Sequence, residues 1–202
     1  ENVQLVPLSI STLDTAKFNL LTSGAGDVKA LSGRVPSLLL ESSFGRAFPR
    51  FYVRGLGNTD FDLNASQPVS MVVDDVVLEN PVVKGMPLFD LERTEVLRGP
   101  QGTLFGRNTP AGIVKFDTVK PSQEWEGFAR GSYGSFDTVD FKAAVGGGLT
   151  DTLSARMSVL YQSQGDWIDN DFTGENDALG GQETMAFRLQ FLWEPSEKFS
   201  AL

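Results

Sequence analysis

Segments in the C-terminal part of the chain alternate between apolar and polar residues over about ten positions each. The clearest are DTVDFKAAVG (137–146), TLSARMSVLYQ (152–162) and ETMAFRLQFLW (183–193), with WEGFARGSY (125–133) as a weaker fourth. Period-two alternation predicts β-strands with one dry and one wet face. Soluble sandwiches usually have shorter strands of about five or six residues. Strands of about 9–11 residues with aromatic ends are typical of a membrane-spanning β-barrel.

The pattern alone leaves two arrangements of these strands open. A membrane barrel exposes Phe187, Phe191 and Trp193 to lipid or detergent, whereas a soluble β-sandwich buries them. The connections favour the barrel, because GGLTD (147–151) is short while residues 163–182 form a long acidic segment. Outer-membrane barrels combine short periplasmic turns with longer external loops. Since four strands cannot close a membrane barrel, we expect them to begin a larger one.

The first 121 residues follow a different pattern of short, mixed elements. LDTAKFNLLTSG (13–24) predicts a helix capped by Asp14, and DVKALSG (27–33) predicts a second short helix. Strands are predicted at LVPLSIST (5–12), RFYVRGLG (50–57), VSMVVDDVVL (69–78) and TEVLRG (94–99). We therefore predict an α+β domain over residues 1–121, followed over 122–202 by about four antiparallel strands of a transmembrane β-barrel.

Charge also changes between the two parts of the chain. Residues 1–124 hold 12 basic and 14 acidic side chains, whereas residues 125–202 hold 5 basic and 12 acidic ones. The net charge of −9 argues against a nucleic-acid partner. The opening residues ENVQLVPLSI lack the basic start and long apolar centre of a signal peptide. The missing signal peptide has two interpretations: a cytoplasmic protein, or a mature chain whose beginning is not shown. The barrel-like strands favour the second.

The residue types present exclude several kinds of chemistry. The chain has no Cys and no His, which removes disulfides, thiolate metal sites and imidazole catalysis. The glycines of 99–112 lack the Gly-x-x-x-x-Gly-Lys-Ser/Thr spacing of a phosphate-binding loop. Asp74 and Asp75 are adjacent on a predicted strand and point to opposite faces, so they cannot flank a glycosidic bond. We predict no catalytic residue, no cofactor and no enzyme activity.

Four linked motifs follow one another in the first part of the chain, in the order VPLSISTLD, RFYVRGLGN, VSMVVDDVVL and RTEVLRGPQGTLFGRNTPAGIVKF. Together they resemble the plug domain of TonB-dependent outer-membrane receptors. The resemblance covers residues 3 to about 120. The alternating strands that follow look like the start of that family's barrel of about 22 strands. A soluble β-rich carbohydrate-binding or adhesive domain is the alternative from another functional class.

The resemblance implies a plug inside a barrel in the outer membrane of a Gram-negative bacterium. Such receptors import a scarce nutrient with energy delivered by TonB and its ExbB–ExbD complex. TonB takes hold of an N-terminal TonB box by strand addition, and we expect that box upstream of the printed chain. A signalling member with a further N-terminal domain is a third interpretation. The substrate stays open, since siderophore, haem, cobalamin, oligosaccharide and metal receptors share this plug.

Two arginines match family positions. Arg54 in YVRGLG and Arg98 in VLRGPQG match plug arginines that face acidic residues of the barrel wall in the family. The resemblance implies a plug–barrel latch, because a buried arginine is stable only when it is paired. The alternative is that both are ordinary solvated arginines. The acidic partners are expected beyond Leu202.

The resemblance implies that two plug loops, 41–50 and 57–68, meet the ligand first. Their aromatic and charged side chains suit a sugar or chelate, although they also fit ordinary loop composition. The ligand-contact candidates are Phe44, Arg46, Phe48, Asp60, Phe61 and Asp62. Elsewhere, Asp169, Asp171 and Asp177 resemble part of a calcium loop, but Gly180 stands where the bidentate Glu is required. We therefore expect a solvated external loop and no metal site there.

Overall fold

The computed structural model describes residues 8–60, 62 and 64–202. The chain divides into two compact units at Thr118 and Val119. The first unit runs to Thr118 apart from Ser23–Ala25, which group with the second unit, Val119–Leu202. The two units are taken one at a time below.

The first unit is an α+β domain around a five-stranded mixed sheet. Its elements are β1 (Ser9–Asp14), α1 (Thr15–Leu21), a 3-10 helix (Val28–Leu31), β2 (Leu38–Glu41), β3 (Arg50–Val53), β4 (Val69–Val73), β5 (Val76–Leu78), a second 3-10 helix (Val83–Gly85), β6 (Leu91–Arg98), α2 (Gly102–Phe105) and β7 (Gly112–Thr118). The sheet order is β1-β6-β7-β4-β5, and β2 pairs with β3 separately. Only the β4–β7 pair in that sheet is parallel.

One face of this sheet is covered by α1 and by the segment that carries the first 3-10 helix. Met71, Val114 and Phe116 are fully buried there, and Phe18 of α1 meets Phe116 edge-on with ring centroids 6.1 Å apart. As predicted, Asp14 caps α1, because its carboxylate accepts a hydrogen bond from the Lys17 amide at 2.8 Å. These residues belong to the larger hydrophobic cluster of the unit, and Val72, Leu97 and Ile113 form a second, smaller one.

The predicted single strand over 69–78 is wrong, because that segment is a hairpin of β4 and β5. Asp74 and Asp75 form its turn with φ of 46° and 67°. Two consecutive positive φ values belong to the tight turn that usually carries Asn-Gly or Asp-Gly. Asp74 adopts this backbone while its carboxylate accepts hydrogen bonds from the Thr118 amide and hydroxyl, both at 2.8 Å. The turn is formed by two charged residues between apolar strands, so it lacks the Gly or Asn that usually marks a hairpin turn in a sequence.

The second unit is an antiparallel sheet of long strands. Its elements are β8 (Glu126–Gly134), β9 (Thr138–Thr150), β10 (Leu153–Gln164), β11 (Ile168–Asn170), β12 (Glu175–Leu179), β13 (Gln182–Ser196) and β14 (Phe199–Ala201). The main sheet has the order β14-β13-β10-β9-β8. Within the long acidic segment, β11 and β12 pair as a small hairpin. No helix among the described residues is long and apolar enough to cross a membrane.

Two of the long strands, β9 and β10, bury most of their polar face and leave the other face more exposed. On β10, Ser154, Arg156, Ser158 and Gln162 are at most 4% exposed, while Met157 is 43% exposed. The buried charges are paired, with Arg156 2.9 Å from Glu126 and Lys142 3.4 Å from Asp140. Such an inverted sheet suits a barrel wall whose outer face meets lipid.

The three aromatic side chains that separate the two arrangements lie on β13. Phe187 is 59% exposed, Phe191 50% and Trp193 49%. A soluble sandwich requires them in its core, whereas a membrane barrel requires them outside. The predicted barrel strands are therefore confirmed, and the soluble sandwich is not favoured.

Candidate functional site

The segment 99–112 folds into a closed loop between β6 and β7. The Gly99 amide donates to Ala111 O at 2.9 Å, and the Gln101 amide donates to Thr109 O at 3.1 Å. At the exit of the loop, Gly112 has φ of 150°, and a Cβ there would lie 2.3 Å from Leu97 O. Gly112 is thus required where β7 approaches the end of β6. These contacts place the glycines in a folded backbone segment.

Arg98 stands at the start of this loop and contacts two other segments. Its Nη1 donates to Ser9 Oγ at 3.0 Å, and its Nη2 donates to Ser11 Oγ. Its Nε donates to Pro36 O at 3.2 Å. All of these partners lie in the first unit. The predicted role in a latch stays a prediction, but the side chain also joins β1 to the segment before β2.

Arg54, the second latch candidate, lies in a tight turn after β3. Its φ is 52°, and its side chain is exposed. Its amide donates to Ser37 O at 2.9 Å, and Val53 and Leu56 exchange backbone hydrogen bonds around it. The structure does not bring Arg54 and Arg98 together through any described hydrogen bond. The turn fixes the Arg54 backbone and leaves its side chain in solvent.

The first predicted ligand loop, 41–50, presents one aromatic ring and buries another. Phe44 is 57% exposed and Phe48 is 6% exposed, with their rings edge-on at 6.3 Å. Arg46 lies 3.9 Å from the Asp27 carboxylate. Phe48 is therefore a support beneath Phe44, because its own ring has little surface to offer a ligand. Phe44 and Arg46 stay as contact candidates.

The second predicted ligand loop, 57–68, is shaped by a series of side-chain-to-backbone hydrogen bonds. The Asp60 amide donates to Asn58 Oδ1 at 2.8 Å, the Asp62 amide to Asp60 Oδ1 at 2.9 Å, and the Asn64 amide to Asp62 Oδ1 at 2.8 Å. In these Asx turns a side chain bonds to the backbone two residues further on, and the series of such bonds fixes the path of the loop. Asp60 and Asp62 are exposed. Phe61 lies outside the described residues.

Next to this loop is a polar cavity of about 310 Å³ that the sequence did not predict. It is lined by Asn64, Ala65, Ser66, Glu79, Asn80, Arg107 and Asn108. Arg107 and Glu79 form a two-pronged ion pair across it, with contacts of 2.8 and 2.5 Å. The Arg107 hydrogen bond lowers the pKa of Glu79, and the same contact raises the pKa of Arg107. Glu79 and Arg107 are 28 residues apart in the chain, so no local sequence motif indicates that they pair.

A lysine is fully buried in the loop that carries the second 3-10 helix. Lys84 is 1% exposed, and its Nζ donates to Val69 O at 3.0 Å and lies 5.8 Å from the centre of the Phe51 ring. Burial lowers the pKa of Lys84 to about 8, and the negative charge of Glu79 opposes that change only in part. Gly85 packs beside it, where a Cβ would lie 2.7 Å from Arg46 O. This loop is fixed closely against the first ligand loop.

A network of ion pairs covers the other end of the sheet. Asp117 contacts Arg93 at 2.8 Å and Lys115 at 3.1 Å, and Lys115 also reaches Asp75 at 2.8 Å. Arg93 contacts Glu95 at 3.0 Å. Burial alone would lower the pKa of Lys115, but the carboxylates of Asp75 and Asp117 raise it. The network ties the turn after β4 to β6 and β7.

The acidic hairpin of β11 and β12 provides no described metal cage. Asp169 Oδ1 accepts a hydrogen bond from the Asp177 amide at 3.0 Å, and Asp171 lies in the turn between the strands. Among the residues that the structure describes, no group of three or more acidic, His or Cys side chains is placed to hold a metal ion. The geometry gives the calcium candidates no support.

An α+β domain followed by long strands with an inverted polar face defines a plugged outer-membrane barrel. Residues 2–113 match the TonB-dependent Receptor Plug Domain family. The chain therefore belongs to the TonB-dependent receptors of the Gram-negative outer membrane, and the predicted family, fold class and location are confirmed.

Known relatives are receptors that are much longer than this chain. The pesticin receptor of Yersinia enterocolitica is 30% identical over 81% of this chain and 24% of its own length. The ferric aerobactin receptor of Klebsiella pneumoniae is 27% identical over 69% of this chain and 20% of its own. The crystal structure of the ferric yersiniabactin uptake receptor from Yersinia pestis superposes with a TM-score of 0.82 at 25% identity, covering 94% of this chain and 29% of that one. The chain spans about a quarter of the curated relatives it matches.

Proposed function

We propose that this chain is the plug and first barrel strands of a transporter that actively imports a scarce nutrient across the outer membrane. The observation that carries the proposal is the inverted sheet of the second unit, with buried Arg156 and exposed Phe187, following a plug-family domain. A wall of this kind separates lipid from a polar lumen. The first unit then gates that lumen. The protein works by binding and release and has no catalytic step.

The proposed substrate class is a ferric siderophore. The support is the names of two similar proteins, a ferric aerobactin receptor and a ferric yersiniabactin uptake receptor. Within the plug, exposed Phe44 beside Arg46 offers an aromatic face and a positive charge. Both groups suit a chelate that carries aromatic rings or carboxylates. Cobalamin and oligosaccharides become the next candidates if iron chelates are not imported.

The proposed energy source is TonB with its ExbB–ExbD complex, acting on a TonB box upstream of β1. The support is family membership. In this scheme the receptor binds ligand without energy and releases it inward only when TonB pulls on the N-terminal side. Binding and uptake are therefore separable measurements.

The experiment that tests this function uses the complete receptor in its own host. Uptake of 55Fe from a panel of ferric siderophores is compared between wild type, a strain lacking the receptor, and a strain lacking TonB. We expect at least one siderophore whose uptake needs both proteins, while its binding to cells needs the receptor alone. The function is wrong if the full-length protein is found in the soluble periplasm, or if the TonB-deficient strain imports the ligand normally.

The arginine latch is part of the same proposal. Arg54 is exposed on a fixed turn, and a guanidinium pairs well with a carboxylate across a wall. We expect Arg54→Ala combined with Arg98→Ala to leave siderophore binding to cells largely unchanged and to alter 55Fe uptake. Normal uptake by the double variant would contradict the latch.

A further inference from the structure

Among the described strands, the first strand of the plug sheet pairs with one neighbour only. β1 pairs with β6 and lies at the edge of the sheet order β1-β6-β7-β4-β5. None of its six residues is fully buried, and only Ile10, Ser11 and Leu13 are partly covered. An edge strand with so little buried surface is among the parts of a domain that open most easily. Whatever else contacts β1 therefore has a large influence on its opening.

Besides the packing of Ile10 and Leu13 on the hydrophobic clusters, Arg98 adds side-chain hydrogen bonds to this pairing. Ser9 pairs with Arg98 in the first rung of the ladder, and Ser11 lies two residues further on the same face. The Arg98 guanidinium donates to both serine hydroxyls. Its Nε donates to Pro36 O, which belongs to the segment before β2. One charged group thus joins β1 to a second part of the domain that is not its sheet neighbour.

The opposite end of β1 is also paired with an arginine of β6, but the described ion pairs of that side chain are made to strands other than β1. Asp14 pairs with Arg93 in the last rung. The Arg93 guanidinium contacts Asp117 at 2.8 Å and Glu95 at 3.0 Å, on β7 and β6. β6 therefore carries two arginines opposite β1, of which Arg98 is hydrogen-bonded to its side chains and Arg93 is directed to its own sheet neighbours. This difference supplies a matched control.

We propose that Arg98 is a clamp on β1 that sets how readily the first strand leaves the plug sheet. Hydrogen bonds from a charged donor are stronger than neutral ones, and this donor holds two hydroxyls of a weakly buried strand. The mechanical consequence rests on the proposed function: a pull from the N-terminal side reaches Ser9 before any other residue of β1. Arg98 is thus a positioning residue, and its serine contacts form the first barrier to withdrawal of the strand.

The clamp and the latch make different demands on the two serines. A latch to an acidic residue of the barrel wall needs Arg98 but does not need the hydroxyls of Ser9 and Ser11. A clamp needs all three side chains. The variant Ser9→Ala/Ser11→Ala removes both hydroxyl acceptors while leaving Arg98 and the backbone ladder intact. It is also a small change at partly exposed positions, so the receptor is expected to fold.

The test is hydrogen–deuterium exchange, read by mass spectrometry, on the purified full-length receptor in detergent without ligand or TonB. Wild type is compared with Arg98→Gln, Ser9→Ala/Ser11→Ala and the control Arg93→Gln. We expect exchange of peptides covering 9–14 to be about 10- to 100-fold faster in Arg98→Gln and about 10-fold faster in the serine variant. In Arg93→Gln the same peptides should exchange at about the wild-type rate. Peptides covering β7 should be unchanged in the serine variant.

The proposal is overturned if β1 exchanges at the wild-type rate in the serine variant, whatever Arg98→Gln does. It is also overturned if Arg93→Gln opens β1 equally, because the effect would then belong to the edge strand in general. Faster exchange of β7 together with β1 in the serine variant counts against it as well. Since no substrate or energy source enters the measurement, a failure of the uptake proposal leaves this result interpretable.

Discussion

Replacing Lys84 with methionine should stabilise the plug at neutral pH, although it removes a hydrogen bond. The burial of Lys84 lowers its pKa from 10.5 to about 8. A difference of that size corresponds to about 3 kcal/mol of unfavourable free energy for the charged form in the folded state. Methionine has a similar length and no charge. Losing the bond to Val69 O costs about 1 kcal/mol, so the expected net gain is about 2 kcal/mol.

The pKa of Lys84 determines at which pH the substitution should stabilise the plug. The folded pKa of Lys84 lies below the unfolded value, so between pH 8 and 10.5 the unfolded chain binds more protons than the folded one. Wild-type stability therefore rises as pH increases through that window. Lys84→Met has no such group, so its advantage is largest at pH 7 and disappears towards pH 10.5. Above that pH the wild type keeps a neutral hydrogen bond that the variant lacks.

The measurement is urea-induced unfolding of the plug within the full-length receptor, reported by a fluorophore on Leu104→Cys, an exposed position of α2. Small domains lose about 1–3 kcal/mol of stability per molar urea, so the midpoint should rise by about 1 M at pH 7. Lys17→Met, which removes an exposed lysine, is the charge-matched control and should move the midpoint little. A lower midpoint for Lys84→Met, or a difference that is equal at pH 7 and pH 10, would refute the reasoning.

Two further predictions concern the loop after β6 and the proposed ligand surface. Gly112→Ala should lower the plug's free energy of unfolding by about 3 kcal/mol or more in the same urea assay, because its Cβ would lie 2.3 Å from Leu97 O. Gly102→Ala, whose nearest atom would be 3.8 Å away, is the control and should be tolerated. Phe44→Ala should weaken siderophore binding to cells about tenfold, whereas Leu20→Ala, at a position of α1 that is more exposed than Phe44, should not. Equal effects within either pair would contradict the corresponding assignment.

The parts of the fold that follow from local pattern could be predicted from the sequence. The two faces of β13 follow directly from the alternation of Phe187, Phe191 and Trp193 with polar residues, because side chains on a strand change face at every step. Asp14 was identifiable as a helix cap because capping needs only a short polar side chain at a fixed distance from the helix. The hairpin at 74–75 does not follow from the strand pattern alone, because its turn is stabilised by Thr118, 44 residues away.

The candidate site depended on contacts that no local pattern encodes. The serine partners of Arg98 are 87 and 89 residues away in the chain, so its position in a recognisable motif said nothing about β1. The burial of Lys84 has no local signal in the sequence, because it is decided by distant residues such as Phe51 and Val69. The loop 41–50 was predicted correctly as a loop, but which of its two phenylalanines is exposed depends on packing.

The inverted faces of the long strands limit how this protein can change in evolution. Deleting one residue from the middle of β10 would exchange its two faces beyond that point, since side chains alternate with a period of two. If Arg156 were moved to the lipid side, it would cost about 2–4 kcal/mol near the middle of the bilayer, and Met157 would enter the polar side. Insertions and deletions should therefore collect in connections such as the segment between β10 and β13, while the strands diverge by substitution at constant length.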